Sequence, residues 1–278
     1  MTTLQVSESK KTILEEAAKK YDRDGYCILP SILSPELIRR TVGRMDAVMK
    51  GEYESGKAPL DMWWNPGDPP TKLRKIDQAH VADRTIFEAV TSPELGRLVA
   101  AITGAKLVQI WVVQMLYKPP GGSAQGSVGW HQDYFYWKNF FTSDSNIFTA
   151  WLALSDVREE CGPMHFAAGS QRWGLLNAGD FFGAADEKQR AGIAIPAGET
   201  WREESGAMPA GAFSLHHRLT FHGSQPNMST FPRYSFAIHL RTEKSTPTPK
   251  SKTGPDDKEY DYVSYLDDPA ICPVIYRA

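Results

Sequence analysis

The sequence contains little cysteine, no long apolar run and no excess of positive charge. Its three cysteines, Cys27, Cys161 and Cys272, are widely spaced and form no CxxC pair, so they indicate neither a disulfide framework nor a structural zinc site. No run of about eighteen apolar residues occurs, and the N-terminus carries acidic residues, which argues against a membrane span and a signal peptide. We therefore expect a protein of the reducing cytoplasm.

The charge balance argues against polyanionic partners. The formal net charge is -2 at pH 7, whereas nucleic acids and anionic membranes attract basic surfaces. Aromatic residues make up 11% of the chain and include eight tryptophans. They suit either core packing or a pocket for an organic ligand. We expect a small-molecule partner and no nucleic acid, while the sequence leaves the oligomeric state open.

The order of sequence patterns predicts one domain over residues 1–278. Residues 1–104 are mostly helical in pattern, with a short apolar strand at about 26–29. Residues 105–243 contain short runs of β-branched and aromatic residues between Gly, Pro, Asn and Ser turns, with no helices between them. Residues 244–278 form a loop and tail. This order predicts a mainly β fold with flanking helices, built as an antiparallel sandwich or barrel.

The segment WHQDYFYW, residues 130–137, places His131 two positions before Asp133. About one such pair is expected by chance among seven histidines, so the spacing alone decides nothing. On a strand, however, positions i and i+2 face the same side, so an imidazole and a carboxylate would point together. Two such ligands and a distant third histidine describe the facial triad that binds iron(II) and leaves other coordination positions open.

His222 is the preferred third ligand, because the segment TFHGSQPN places it where a strand meets a turn. His216 and His217 are competitors, and strand alternation allows at most one of them to face inward. His80, His165 and His239 are expected to form structural hydrogen bonds.

Arg233 follows His222 by eleven residues, at the start of the strand RYSFAIHLRT. If the two residues lie on neighbouring strands joined by the intervening turn, the guanidinium is placed to bind a carboxylate in a bidentate pair. The alternative is a solvated surface arginine.

These motifs together resemble the phytanoyl-CoA dioxygenase-like family of iron(II)/2-oxoglutarate oxygenases, which includes ectoine hydroxylase. The similarity is carried by GYCILPSILSPELI, WHQDYFYW, the WLALSDVREECGPMHFAAGSQR segment and HGSQPN, in that order. The resemblance implies a double-stranded β-helix, a cupin-like jelly roll with flanking helices. It also implies iron(II), 2-oxoglutarate and dioxygen as reactants, with His131, Asp133 and His222 as iron ligands and Arg233 as the partner of the distal 2-oxoglutarate carboxylate.

The same comparison implies further contacts. Thr149 and Ser224 match residues that contact the cosubstrate in such enzymes, and Gln114 and Trp137 match positions that line the site in ectoine hydroxylase-like proteins. Lys75 matches a lysine near the cosubstrate in phytanoyl-CoA oxygenase-like members. Each of these residues is otherwise an ordinary strand or surface residue.

We therefore expect a dioxygenase that hydroxylates an unactivated C–H bond of a small, apolar or amphipathic metabolite and releases succinate and carbon dioxide. A desaturase, epoxidase or cyclase with the same site is the alternative, and a non-catalytic β-barrel binding protein is a third hypothesis. Asp133 supplies the carboxylate ligand that a halogenase lacks. Aromatic residues are candidates for substrate contact: Trp63, Trp64, Tyr134, Tyr136 and Phe140.

Overall fold

Helices flank a β-rich core in the computed structural model, which describes residues 3–248 and 262–278. Residues 249–261 of the loop and tail predicted at 244–278 lie outside the described residues. In the described ranges the α-helices are α1 (Thr3–Asp24), α2 (Pro35–Met49), α3 (Arg84–Val90), α4 (Pro93–Thr103), α5 (Asp133–Trp137) and α6 (Glu187–Ala191). None of these helices combines the length and apolar character that crossing a membrane requires.

Local sequence signals explain where the early helices begin and end. The Ser34 hydroxyl accepts a hydrogen bond from the Leu37 amide at 3.1 Å, so it caps the N-terminus of α2. The carboxylate of Asp83 caps α3 in the same way, which the sequence reading did not anticipate. Gly104 ends α4 with a φ of 68°, a conformation that glycine adopts without steric cost.

Twelve β-strands occur in the described residues: β1 (Tyr26–Leu29), β2 (Asp61–Met62), β3 (Arg74–Asp77), β4 (Leu107–Lys118), β5 (Val128–His131), β6 (Ile147–Ala153), β7 (Met164–Ala167), β8 (Glu203–Ser205), β9 (Phe213–His217), β10 (His222–Ser224), β11 (Arg233–Thr242) and β12 (Val274–Arg277). Within these ranges they form two antiparallel sheets. The major sheet has the order β1-β9-β6-β11-β4-β3-β2, with β12 also paired to β4. The minor sheet has the order β5-β10-β7-β8. The predicted mainly β architecture with flanking helices is confirmed.

The two ends of the chain contribute more strand than the sequence predicted. Besides β1, the first 104 residues supply β3, which pairs with β4 and extends the major sheet. The tail supplies β12, which pairs with β4 at its N-terminal end. Both strands are four residues long, too short to produce a clear alternation of apolar and polar residues.

Two apolar layers hold the strands and helices together. One lies between the major sheet and the helices α2, α3 and α4, and includes Val48, Ile86 and Phe236. The other lies between the sheets and includes Trp151 and Phe166. The space between the sheets also contains the buried polar residues described next.

Candidate metal centre and adjoining cavities

Three buried side chains converge between the two sheets. One ligand atom from each of His131, Asp133 and His222 can be chosen so that all three lie within 4.8 Å of one another. His131 ends β5 and His222 begins β10, and the two residues lie opposite each other in this antiparallel pair. Nε2 of each histidine is 3.6 Å from Oδ1 of Asp133. The structure thus brings together the three residues predicted to bind a metal ion.

Asp133 does not lie on the same strand as His131, contrary to the prediction from their two-residue spacing. β5 ends at His131, and Asp133 is the first residue of the short helix α5. Gln132 between them remains extended, so the two side chains still point to the same side. The chain then turns into a helix because Tyr134 and Trp137, three positions apart, both pack in the apolar cluster around Trp111.

The hydrogen bonds of the two histidines direct their lone pairs at Asp133. Nδ1 of His131 is 2.8 Å from the carbonyl oxygen of Gly129, and Nδ1 of His222 is 2.9 Å from that of Thr220. A carbonyl can only accept a hydrogen bond, so Nδ1 carries the proton in both rings. Nε2 therefore presents its lone pair toward the carboxylate. Two imidazole lone pairs and a carboxylate oxygen are the donor set that suits iron(II).

Burial and neighbouring groups favour the ionisation states that metal binding needs. Burial lowers the pKa of His222 well below its ordinary value, which keeps the ring neutral. The Thr149 hydroxyl donates a hydrogen bond to the Asp133 carboxylate, which favours its ionised form.

A second layer of polar groups from the major sheet surrounds Asp133. Thr149 on β6 donates a hydrogen bond from its hydroxyl to Oδ2 of Asp133 at 2.7 Å, and Nδ1 of His239 on β11 lies 2.9 Å from the same hydroxyl. His216 on β9 places Nε2 3.4 Å from Oδ2 of Asp133. The three residues share one face because each pair lies in register across neighbouring strands. Only His216 of the His216–His217 pair faces the site, as strand alternation predicts.

Arg233 lines a narrow chamber that extends from the triad, and Lys118 lies beside Arg233. Arg233 and Lys118 lie opposite each other on β11 and β4, and both are buried. Nζ of Lys118 donates to the Ser224 hydroxyl at 2.6 Å, while Arg233 donates to the carbonyl of Gly162 and stacks over Trp151. In the described part of the chain, Nε of Arg233 has no hydrogen-bond partner. Burial lowers the pKa of Arg233 to about 9, and burial together with Arg233 lowers that of Lys118 well below its ordinary value.

The prediction that His222 and Arg233 lie on neighbouring strands is wrong. His222 belongs to the minor sheet and Arg233 to the major sheet, so the intervening turn crosses from one sheet to the other. Both side chains nevertheless line the same chamber, together with Thr149 and Ser224. The guanidinium faces the metal centre across the space between the sheets and is buried rather than solvated.

A larger cavity of about 370 Å³ opens on the other side of His131 and Asp133. Half of its lining residues are Trp, Phe or Tyr, among them Trp63, Trp111, Phe135, Trp137, Phe140 and Phe181. Gln114 lines both this cavity and the narrow chamber, so it lies at their junction.

The remaining residues predicted for the site lie either in the wall of the larger cavity or in apolar clusters. Trp137 lines the larger cavity and packs edge-on against Trp111 with ring centroids 5.2 Å apart. Lys75 also lines the larger cavity, where its ammonium binds Asp77 at 2.7 Å, and it does not line the chamber of Arg233. Of the aromatic candidates, Trp63, Tyr136 and Phe140 line the cavity, whereas Trp64 and Tyr134 pack in apolar clusters.

Several residues of the site were missed by the sequence reading. Lys118 is the last residue of the apolar strand β4. Gln114, Leu116 and Lys118 follow one another at two-residue spacing, which indicates that their side chains share one face of the strand. His239 was expected to be merely structural, yet it binds Thr149 and lines both cavities. Asp77 gave no signal, because a single acidic residue near a strand end is commonplace.

Comparison with known proteins identifies relatives along most of the chain. The family model described as phytanoyl-CoA dioxygenase (PhyH) matches residues 21–235. An ectoine dioxygenase of Bordetella parapertussis is 23% identical over 251 residues, which is 86% of this chain and 79% of the relative. A probable alpha-ketoglutarate-dependent hypophosphite dioxygenase of Stutzerimonas stutzeri is 24% identical over 225 residues, 78% of this chain and 75% of the relative.

Solved structures share the fold. The epimerase SnoN, described in complex with Fe3+, alpha ketoglutarate and nogalamycin RO, aligns with a TM-score of 0.66 at 20% identity, covering 90% of this chain and 96% of that one. The carbocyclase SnoK from nogalamycin biosynthesis aligns with a TM-score of 0.64 at 20% identity, covering 89% of this chain and 93% of that one. At this identity the likeness concerns the fold alone.

Proposed function

The chain belongs to the phytanoyl-CoA dioxygenase family, and from that premise we propose that it hydroxylates an unactivated C–H bond of a small organic metabolite. It is an oxidoreductase of a class that uses iron(II) and 2-oxoglutarate. The observation that carries the proposal is the convergence of two imidazole lone pairs and one carboxylate at the junction of two cavities. Bound iron(II), with 2-oxoglutarate and dioxygen, supplies the oxidation, and the cosubstrate leaves as succinate and carbon dioxide.

Nε2 of His131, Nε2 of His222 and Oδ1 of Asp133 would hold the iron. Their lone pairs are fixed by backbone carbonyls, so binding needs no change of tautomer. Thr149 orients the carboxylate from the far side, through a hydrogen bond to Oδ2, the oxygen that does not face His131 and His222. The donor set therefore fits the metal of the family.

The narrow chamber suits the distal carboxylate of 2-oxoglutarate. Arg233 is a buried cation beside the Lys118 amino group, and Nε of the arginine has no partner among the described residues. Leaving a buried donor unpaired costs about 1–3 kcal/mol, which a bound carboxylate would offset. The Ser224 hydroxyl accepts a hydrogen bond from Lys118, so its own proton would be donated to the bound carboxylate.

The larger cavity would hold the substrate next to the metal. Its aromatic wall favours an apolar or amphipathic ring system and excludes water from the reacting centre. Gln114 would contact both substrate and cosubstrate, because it lines both spaces. The face-to-face packing of the two antiparallel sheets supports the double-stranded β-helix expected of the family.

Iron binding and cosubstrate turnover test the proposal together. Anaerobic titration with iron(II) is compared for wild type and for His131→Ala, Asp133→Ala and His222→Ala, with His165→Ala as the matched control, since His165 lies on β7 and binds Glu203 instead. We expect each triad variant to lose more than about 100-fold in iron affinity, beyond what loss of an outer partner costs. The control keeps wild-type affinity.

Product analysis then tests the reaction. Extract metabolites are incubated with enzyme, iron(II), 2-oxoglutarate and oxygen, and mass spectrometry records succinate and any product. A gain of one oxygen, absent with His222→Ala, supports hydroxylation. Wild-type iron affinity in the triad variants, or no succinate with any extract, would contradict the proposal.

Cyclisation or desaturation at the same site is the second candidate. A solved carbocyclase has the same fold, so the fold accommodates this chemistry, and hydrogen abstraction from the substrate is common to both outcomes. A product lighter by two hydrogens, rather than heavier by one oxygen, would identify this reaction.

A further inference from the structure

A group of polar side chains around the carboxylate of Asp77 forms one part of the wall of the larger cavity. Asp77 ends β3, next to Gln114 of β4 in the register, and is fully buried. Lys75 binds its Oδ2 at 2.7 Å, Tyr262 at 2.9 Å through its hydroxyl, and Trp63 at 3.2 Å through its indole N–H. All four residues line the cavity.

The hydrogen bonds of this carboxylate are unevenly distributed. Oδ2 accepts from three donors, whereas Oδ1 has no partner among the described residues. A buried carboxylate oxygen without a donor is costly, and Asp77 forms part of the cavity wall. A ligand that enters between the aromatic side chains and displaces the groups covering Oδ1 can supply this donor.

Lys75 supplies a hydrogen-bond donor beside the carboxylate of Asp77. Its ammonium carries three protons, of which one is directed at Asp77, and the group lies 4.4 Å over the Trp63 ring. A proton remains for an acceptor on the ligand. This part of the wall thus offers one acceptor and one donor next to each other.

We propose that Asp77 and Lys75 anchor a hydroxyl group of a neutral, ring-containing substrate in the larger cavity. A hydroxyl donates to Oδ1 of Asp77 and accepts from Nζ of Lys75, so it satisfies both groups. A carboxylate or ammonium fits less well at this position, because the Lys75–Asp77 pair has no net charge and would leave the charge of the ligand unpaired beside it. The aromatic wall accommodates the rings. This inference rests on the proposed function only in taking the larger cavity as the substrate site.

Matched ligand pairs test the anchor without turnover. Isothermal titration calorimetry with iron-free protein compares 2-naphthol with 2-methoxynaphthalene, and estrone with its 3-O-methyl ether. Each pair has the same ring system and differs in one O–H donor. We expect wild type to bind the hydroxyl member about 10- to 100-fold more tightly, the range that hydrogen bonds to charged groups provide.

Two variants assign the preference to Asp77. In Asp77→Asn, the three donors that bind Oδ2 hold the amide oxygen at the same position. The amide N–H₂ then takes the place of Oδ1 and cannot accept a hydrogen bond, so we expect the preference for the hydroxyl member to be lost. Tyr262→Phe is the matched control, because it removes one hydrogen bond to Oδ2 and leaves Oδ1 unchanged. It keeps the preference. Circular dichroism and thermal unfolding confirm that both variants fold.

The possible outcomes separate this inference from the proposed function. Equal binding of both members by wild type, no binding of either pair, or a preference that survives Asp77→Asn each overturn the anchor. Failure of iron binding or succinate formation, with the hydroxyl preference intact, would instead overturn the proposed reaction and leave the anchor standing.

Discussion

The Thr149 hydroxyl donates to Oδ2 of Asp133 at 2.7 Å, on the side of the carboxylate that faces away from Nε2 of His131 and His222. This contact joins β6 of the major sheet to the start of α5. It orients a carboxylate that burial would otherwise leave poorly solvated.

Thr149→Val removes this hydrogen bond while conserving the shape of the side chain. Because Asp133 loses its orienting donor, we expect iron(II) affinity to fall about 10- to 100-fold. Anaerobic titration measures it, with Thr103→Val at the end of α4 as the control. Equal affinities of the two variants would contradict an orienting role for Thr149.

Arg233→Met and Lys118→Met test the basic side chains at the narrow chamber. Removing one partner of a buried charge pair costs about 2–5 kcal/mol, so we expect Arg233→Met to weaken 2-oxoglutarate binding about 30-fold or more. Lys118→Met has a smaller effect in the same direction. Calorimetry with manganese(II)-loaded protein measures both.

The matched control for these two variants is Arg241→Met, on the same strand as Arg233 but bound to Gln109 outside the chamber. It keeps wild-type affinity for 2-oxoglutarate. A loss in Arg241→Met as large as in Arg233→Met would show that the effect comes from the strand rather than from the chamber.

Stability is expected to fall in mild acid, with His80 contributing. Nε2 of His80 lies 2.9 Å from the Ile271 carbonyl and Nδ1 is buried without a partner among the described residues, so burial lowers the pKa of the ring to about 4. The unfolded chain binds this proton at about pH 6.5. The neutral His80 ring therefore makes its full contribution to the free energy of unfolding above pH 6.5. This contribution falls by about 3 kcal/mol as the pH falls toward 4, because the unfolded chain binds the proton more tightly.

His80→Gln keeps a donor for Ile271 and removes the titration. We expect its unfolding midpoint, measured in urea without iron, to depend less on pH between 7 and 4.5 than that of wild type. The same slope in both proteins would contradict the assignment to His80.

Gly179→Ala tests the segment that lies against β5. A Cβ at Gly179 would come within 2.3 Å of the Trp130 carbonyl oxygen and 3.2 Å of the His131 Cα, at a φ of 95°. Gly198→Ala is the control, since Gly198 has a φ of 86° but open space around the added carbon. Conformational strain of about 1–2 kcal/mol is common to both. We expect Gly179→Ala to lose more stability in urea and to weaken iron binding as well, whereas Gly198→Ala keeps wild-type iron affinity.

The sequence by itself determined the local features of this protein. The long strands β4, β6 and β11 follow from runs of β-branched and aromatic residues, and α2 follows from the Ser34 cap. The side chains of His131 and Asp133 point to the same side because two-residue spacing in an extended chain requires it. Gln132 between them is extended, so this holds even though Asp133 begins a helix. Such features need only neighbouring residues.

Only the tertiary structure decided which distant residues share the interior. Arg233 faces the triad from the opposite sheet, Lys118 lies beside it through the β4–β11 register, and Asp77 reaches the cavity through the short strand β3. Register and sheet packing join residues more than a hundred positions apart, and no local pattern encodes that pairing. Burial then changes the pKa of these groups and leaves donors and acceptors unpaired, which is what gives each of them a candidate role.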